Sequence, residues 1–306
     1  MKRLLIASTL AILAESSAAQ TTKHGPLALR LPASARAQAM GDIAVAGRDD
    51  DVIFYNPAQL VVARGTSISF ARTAPEVRGG TMSTVLRLGS GGLGVGVNYL
   101  EYRAAYGVYP ITRDEVIATP ADRPPGSSAA ATLGFAQAFR GFRIGVSASY
   151  AADEVGLDRF RNVAADAGLA RDFGRFTTAL AVQHLGPALR NKGSLLLNGS
   201  DVKPPMKATL GFGWSAPAGP LDLTATAAVS AMREGHVSPG VGAEAAWSWL
   251  SGYSVSARAG FRYPRGIDDA WYSGGFGIVA DRVALDVAAE FLKNDRVAYR
   301  AGFRLR

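Results

Sequence analysis

From Thr66 to the C-terminus, apolar and polar residues alternate with a period of two in runs of about 9 to 11 residues. The run from Tyr253 to Tyr263 is the clearest. Tyr253, Val255, Ala257, Ala259, Phe261 and Tyr263 fall on one face, and Ser254, Ser256, Arg258, Gly260 and Arg262 on the other. Successive strand side chains point to opposite faces, so such a segment meets an apolar phase on one side and water on the other. About fourteen such runs can be counted, beginning near residues 66, 81, 92, 128, 142, 162, 175, 206, 221, 239, 253, 272, 283 and 297. Their connections alternate too. Short turns are expected at Gly89–Gly91, Arg140–Gly141, Gly174, Ala216–Pro220, Ser251–Gly252 and Asp281–Arg282. Longer loops are expected at Arg103–Ser127, Ala151–Arg161, Gly186–Pro205, Arg233–Ser238 and Pro264–Trp271. Tilted strands of this length cross a bilayer, and an even count with short turns at one end marks an all-β, antiparallel transmembrane barrel.

Aromatic residues fall where such a wall needs amphipathic rings. Phe139, Phe142, Phe173, Phe176, Trp214, Trp247, Trp249 and Tyr253 flank the short turns, while Tyr99, Tyr150, Tyr263, Phe291 and Tyr299 sit near the long loops. On the polar face, a turn centred on Asp295 sets Glu290 opposite Arg300 and Asp286 opposite Arg304. A turn at Ser251 sets Glu244 opposite Arg258. Cross-strand pairs of opposite charge favour these registers and imply a charged, internally neutralised lumen.

The stretch Arg36–Leu60 is too polar in its middle for a strand pair and too broken for one helix. It reads as a plug. Asn56 before Pro57 is a helix start, with the Asn side chain accepting from free backbone N–H groups, so Pro57–Ala63 is predicted to be a short helix. Ser34 caps a turn or two over Ala35–Met40, and Gly41 supplies the left-handed stop. Between them, Asp49, Asp50 and Asp51 are read chiefly as a solvated turn, with a cation site or a latch onto lumenal arginines as the alternatives.

Met40-Gly41, a short apolar run, the acidic triplet and Asn56-Pro57-Ala58 together resemble the N-terminal hatch of the PorV/PorQ and FadL-like outer-membrane barrels. Asp42 and Gln59 stand where that family usually has Gly. The resemblance implies a location in the bacterial outer membrane and a hatch inside the lumen. It also implies a gated route for hydrophobic small molecules such as fatty acids, or else a secretion-system role in which the loops hold an exported partner protein. A structural barrel without transport is a third reading.

Met1–Gln20 has the form of a secretory signal: Lys2 and Arg3, an apolar centre at Leu4–Leu13, and small residues at Ser17-Ala18-Ala19. The expected organisation is thus a signal at 1–20, a hatch at 21–65 and the barrel at 66–306. The 306 residues carry a net charge of +8, which falls to +7 once Lys2, Arg3 and Glu15 are removed. That charge suits contact with outer-membrane lipid, and no basic-aromatic patch argues for nucleic acid. There is no Cys and only three widely spaced His, so neither a disulfide framework nor a metal site is expected.

Gly89–Gly94 matches a dinucleotide fingerprint by letter, but the segment that follows it is a strand and not the required helix. No cofactor is expected. A steric reading serves better: Gly92, Gly94 and Gly96 fall on the inward face of the third strand, either as glycines at a barrel bend or as a strip where the plug, or a lateral opening, lies against the wall. In the loops, Tyr106 and Tyr109, in a loop long enough to fold over the mouth as a lid, and Leu195, Leu196 and Leu197 are candidates for an apolar ligand groove, the leucines being read chiefly as packing their hairpin onto the rim. His184 is the only His within a predicted strand, with parity pointing outward near the rim and no Ser, Asp or Glu two or four residues away on its face. No catalytic residue is assigned.

Overall fold

The computed structural model describes residues 26–73, 77–103, 125–155, 158–187, 189–190, 201–233, 235–263, 271–292 and 296–305. Fourteen antiparallel strands form one closed barrel, each bonded to its neighbours in sequence, with the last strand returning to the first. They are β1 (Gly65–Thr73), β2 (Val77–Leu88), β3 (Gly91–Arg103), β4 (Pro125–Phe139), β5 (Phe142–Val155), β6 (Asp158–Phe173) and β7 (Phe176–Leu185). After a small two-stranded ladder, β8 (Leu189–Arg190) with β9 (Asp201–Val202), the wall continues. Its second half is β10 (Lys207–Ala218), β11 (Leu221–Met232), β12 (Val237–Leu250), β13 (Tyr253–Arg262), β14 (Tyr272–Ala280), β15 (Val283–Phe291) and β16 (Val297–Leu305). The seam closes by pairing Thr66 with Leu305 through Thr73 with Ala298.

Six two-residue turns define one rim, at 89–90, 140–141, 174–175, 219–220, 251–252 and 281–282. Each contains a residue with positive φ, such as Gly174 at +63° or Asp281 at +56°, which matches the turn to the right-handed strand twist. The loop expected at Ala151–Arg161 is wall: Ala151 pairs with Asn162 and Asp153 with Phe160. Asp153 and Asn162 looked like loop residues because they are polar, yet both are buried on the inner face. The same cause makes β4 to β6 longer than expected, at 15, 14 and 16 residues.

Outward positions are mostly apolar and exposed. Phe70 is 68% exposed and Phe276 66%, and the girdle residues Phe139, Phe173, Phe176, Trp247, Trp249, Tyr99, Tyr150 and Phe291 are exposed as well. Inward positions are small, hydroxylated or charged, among them Ser67, Ser69, Thr81, Ser83, Arg258, Asp286 and Arg304, all buried. A wall that is apolar outside and polar inside is a sheet solvated by hydrocarbon.

The inner faces are buried because residues 26–64 occupy the lumen. Short 3₁₀ turns at Leu27–Leu29, Asp50–Phe54 and Pro57–Val61 and one helix, α1 (Ala35–Ala39), make up its regular structure. Helix α1 packs against β13 to β16, the turn at Pro57–Val61 against β2 to β6, and Leu27–Leu29 against β3 to β5.

Candidate functional site

The hatch is built as its capping residues dictate. Ser34 Oγ accepts from the Ala37 N–H at 3.0 Å and starts α1, and Gly41 ends it with φ of +76°. Asn56 Oδ1 accepts from Ala58 N–H at 3.0 Å, while its Nδ2 donates to the Val45 carbonyl at 3.0 Å. One buried side chain thus ties two arms of the hatch together. Asp42 takes a φ of +60°, in the left-handed region that favours glycine, and its carboxylate accepts from Arg262 at 2.9 Å and from Tyr55 Oη at 2.7 Å.

The wall receives the hatch through missing side chains. A Cβ on Gly92 would enter the space of the Leu60 carbonyl, one on Gly94 would meet the Leu60 and Ile53 side chains, and one on Gly96 the Phe54 ring. The third-strand strip is therefore a plug contact. β3 is paired without a register break to β2 and to β4 along this length, so the wall is closed there. Gly145 and Gly168 continue the seat beneath Pro57 and Asn56.

The acidic triplet is not a solvated turn. Asp50 and Asp51 are buried, and Asp49 bridges hatch and wall: it pairs with Arg36 and accepts from Arg304 Nη1 at 2.7 Å. Asp51 accepts from Ser34 Oγ at 2.5 Å, and Ser83 Oγ donates to Asp50 at 3.4 Å. Burial, then the charges of Asp49 and Asp50, push the Asp51 carboxyl up to about 7, against the Ser34 hydrogen bond. Burial likewise raises Asp50. Burial alone would lower the Arg36 guanidinium, but Asp49 and Glu244 outweigh it and hold it well above its usual value. Among the described residues, no group of three His, Cys, Asp or Glu is placed to hold a metal ion.

Arg36, Asp49, Glu244, Arg258, Asp286 and Arg304 form one network. Glu244 stands directly across from Arg258 and pairs with it. Arg258 also reaches Asp286 at 2.6 Å, Arg304 reaches Asp286 at 2.8 Å, and Arg36 donates to Glu244 at 2.8 Å. The last hairpin is shifted by two residues from the expected register. Glu290 faces Ala298, Arg300 faces Ala288, Asp286 faces Gly302 and Arg304 faces Ala284. Long arginine side chains restore contact diagonally, as Arg304 does to Asp286. Glu290 also accepts from Arg262 at 3.1 Å, and Arg300 donates to Gln38, Ser69 and Thr81. The Gln38 contact was not legible, because it depends on which hatch atoms face the strand, and the others join strands through arginines longer than a single cross-strand step.

Below this network, towards the two-residue turns, a cavity of about 380 Å³ is lined by Arg36, Arg48, Arg64, Arg304 and Val62 among others. A second of about 130 Å³ lies beside Met40, Ile43, Ala46 and Trp214. His184 departs from its expected outward parity. Its φ of +58° and a register shift between β6 and β7 turn it inward, where it is buried and its Nδ1 lies 3.1 Å from the Pro205 carbonyl oxygen. Asp166, across the sheet, binds the His184 backbone N–H at 2.6 Å and Ser147 Oγ at 2.8 Å. Tyr106, Tyr109, Leu195, Leu196, Leu197 and the signal segment lie outside the described residues.

No protein-family profile matches the sequence, and no curated protein matches it. Its structure is similar to that of the P. putida toluene transporter TodX, with a TM-score of 0.56 at 11% identity over 89% of this chain and 95% of that one. It is also similar to the CymD monoaromatic hydrocarbon channel, with a TM-score of 0.60 at 10% identity over 89% of this chain and 97% of that one. The chain therefore shares the fold of the TodX and CymD channels.

Proposed function

We propose that this protein gives hydrophobic small molecules, fatty acids or aromatic hydrocarbons, a gated route across the bacterial outer membrane, with residues 26–64 as the gate. One observation carries the reading: the lumen is stoppered by a segment held through ion pairs and glycine contacts, which can be released without breaking the wall. A fourteen-stranded barrel encloses more than its own side chains fill, so an unplugged wall would leak. The hydrocarbon channels that share the fold support the choice of an apolar cargo.

The absence of cysteine makes a clean test available. A Cβ on Gly302 would stand 3.6 Å from the Cβ of Ala35, within disulfide range. Ala35→Cys with Gly302→Cys therefore locks α1 to β16. In proteoliposomes, entry of an apolar dye such as N-phenyl-1-naphthylamine is expected to fall on oxidation and to recover on reduction, with sucrose excluded throughout. Unchanged dye entry in the locked protein would remove the gating role. Equal passage of sucrose would make the barrel a general pore, and an exported protein co-purifying in place of an apolar ligand would favour the secretion role of PorV/PorQ-like barrels.

A further inference from the structure

We propose that the outer wall of β4 to β7, at the rim of two-residue turns, is a binding site for an anionic phospholipid. The inference concerns the outside of the wall, so it stands apart from the gate. Phe139 and Phe142 are cross-strand partners, and Phe142 is in turn the partner of Arg171, so the three form a row across β4, β5 and β6. Arg171 lies on the same outward parity as Val163 and Leu169, where a charge meets hydrocarbon unless it reaches the headgroups. Its guanidinium stands 4.6 Å from the Phe142 ring centre and 5.0 Å from that of Phe173. Arg140, in the adjoining turn, stands 5.1 Å from the Phe139 ring centre.

These rings hold the cations at the boundary without neutralising them, because an aromatic face attracts a guanidinium but leaves its charge in place. Asp172, the one carboxylate among the described residues of this stretch of rim, is taken up on the inner side by Arg143 at 2.6 Å and by Arg48 at 2.9 Å. Elsewhere on this rim Asp222 lies at the start of β11 and Asp281 lies in a turn beside Arg282, so the cationic bias belongs to one sector. Guanidinium groups bind phosphate oxygens through paired N–H donors, and the exposed Phe139, Phe173 and Phe176 offer acyl chains a surface directly above. In the outer-membrane orientation, short turns face the periplasm, so the occupant is a phospholipid of the inner leaflet.

The test is native mass spectrometry of the detergent-purified full chain, titrated with phosphatidylglycerol or with phosphatidylcholine of the same acyl chains. The wild-type protein is expected to retain phosphatidylglycerol in preference. Arg140→Gln with Arg171→Gln is expected to weaken that retention about tenfold, and Arg282→Gln to leave it unchanged. Equal retention of the two lipids by the wild type, or equal phosphatidylglycerol retention by the double variant, overturns the proposal. So does displacement of the lipid by equimolar inorganic phosphate, which would make this a free-anion site. If the double variant loses the heat-shifted migration of a folded barrel, the wild-type comparison of the two lipids decides alone.

Discussion

Leu60 and Gly92 meet backbone to backbone: a methyl group on residue 92 would occupy the space of the Leu60 carbonyl. No rotamer change relieves that clash, because the obstructing atoms are main chain. Gly92→Val is therefore expected to lift the Pro57–Val61 turn off β3 while the wall stays closed. An overpacked contact of this kind costs about 1–3 kcal/mol, and here it falls on the hatch. Limited proteolysis should show cleavage within residues 36–64 in the variant and not in the wild type, with heat-shifted gel migration unchanged.

Asp49, itself in the hatch, joins a hatch arginine to a wall arginine, Arg36 to Arg304. In Asp49→Asn, Arg36 keeps Glu244 and Arg304 keeps Asp286, so no guanidinium is stranded. The loss of a charged hydrogen bond at each side is expected to cost about 1.5–3 kcal/mol and to raise ion conductance in planar bilayers. Conductance equal to wild type would show that the latch does not hold the stopper.

The pH dependence follows from Asp51, whose carboxyl is pushed up to about 7 by burial beside Asp49 and Asp50. Its folded value lies above the unfolded one, so between about pH 4 and 7 the folded state binds more protons. Stability of the seated hatch then falls as pH rises through that window and levels off above it. Protection factors for amide exchange in residues 49–56, with the intrinsic base-catalysed rate divided out, are expected to be higher at pH 5 than at pH 8, and Asp51→Asn is expected to flatten the difference. A difference of the opposite sign in the wild type would refute the assignment.

Gln59 lies fully buried in the Pro57–Val61 turn, with neither its Nε2 nor its Oε1 hydrogen-bonded among the described residues. An unsatisfied buried amide costs about 1–3 kcal/mol. Gln59→Leu, close in volume, is thus expected to stabilise the hatch by that order, read as slower hydrogen exchange across residues 56–63. Faster exchange would mean that the amide is needed.

The barrel was legible because lipid and lumen impose a period of two on every strand, and two-residue turns of one hand end each hairpin. The hatch was legible at its caps, Ser34, Gly41 and Asn56, where local hydrogen bonding decides the backbone. What failed was of another kind. Asp153 and Asn162 signal a loop by polarity, and only a filled lumen reveals them as wall. Asp49, Asp50 and Asp51 signal a solvated turn, and only the arrival of Arg304, 255 positions away, makes the first of them a latch. The two-residue slip at β15–β16 has the same origin: arginine side chains are long enough to satisfy more than one pairing, so charge alone does not fix register.

The stopper straddles the seam between the first and last strands. Ala33 accepts from Ser69 on β1 and from Thr81 on β2, while Gln38 and Asp49 bind Arg300 and Arg304 on β16, and Gln38 also donates to the Ala298 carbonyl. This segment leads directly into β1 and bridges both edges of the closure. The cylinder is thus riveted from within where its first and last strands join, and a stopper that lets go leaves the β1–β16 ladder to hold that joint alone.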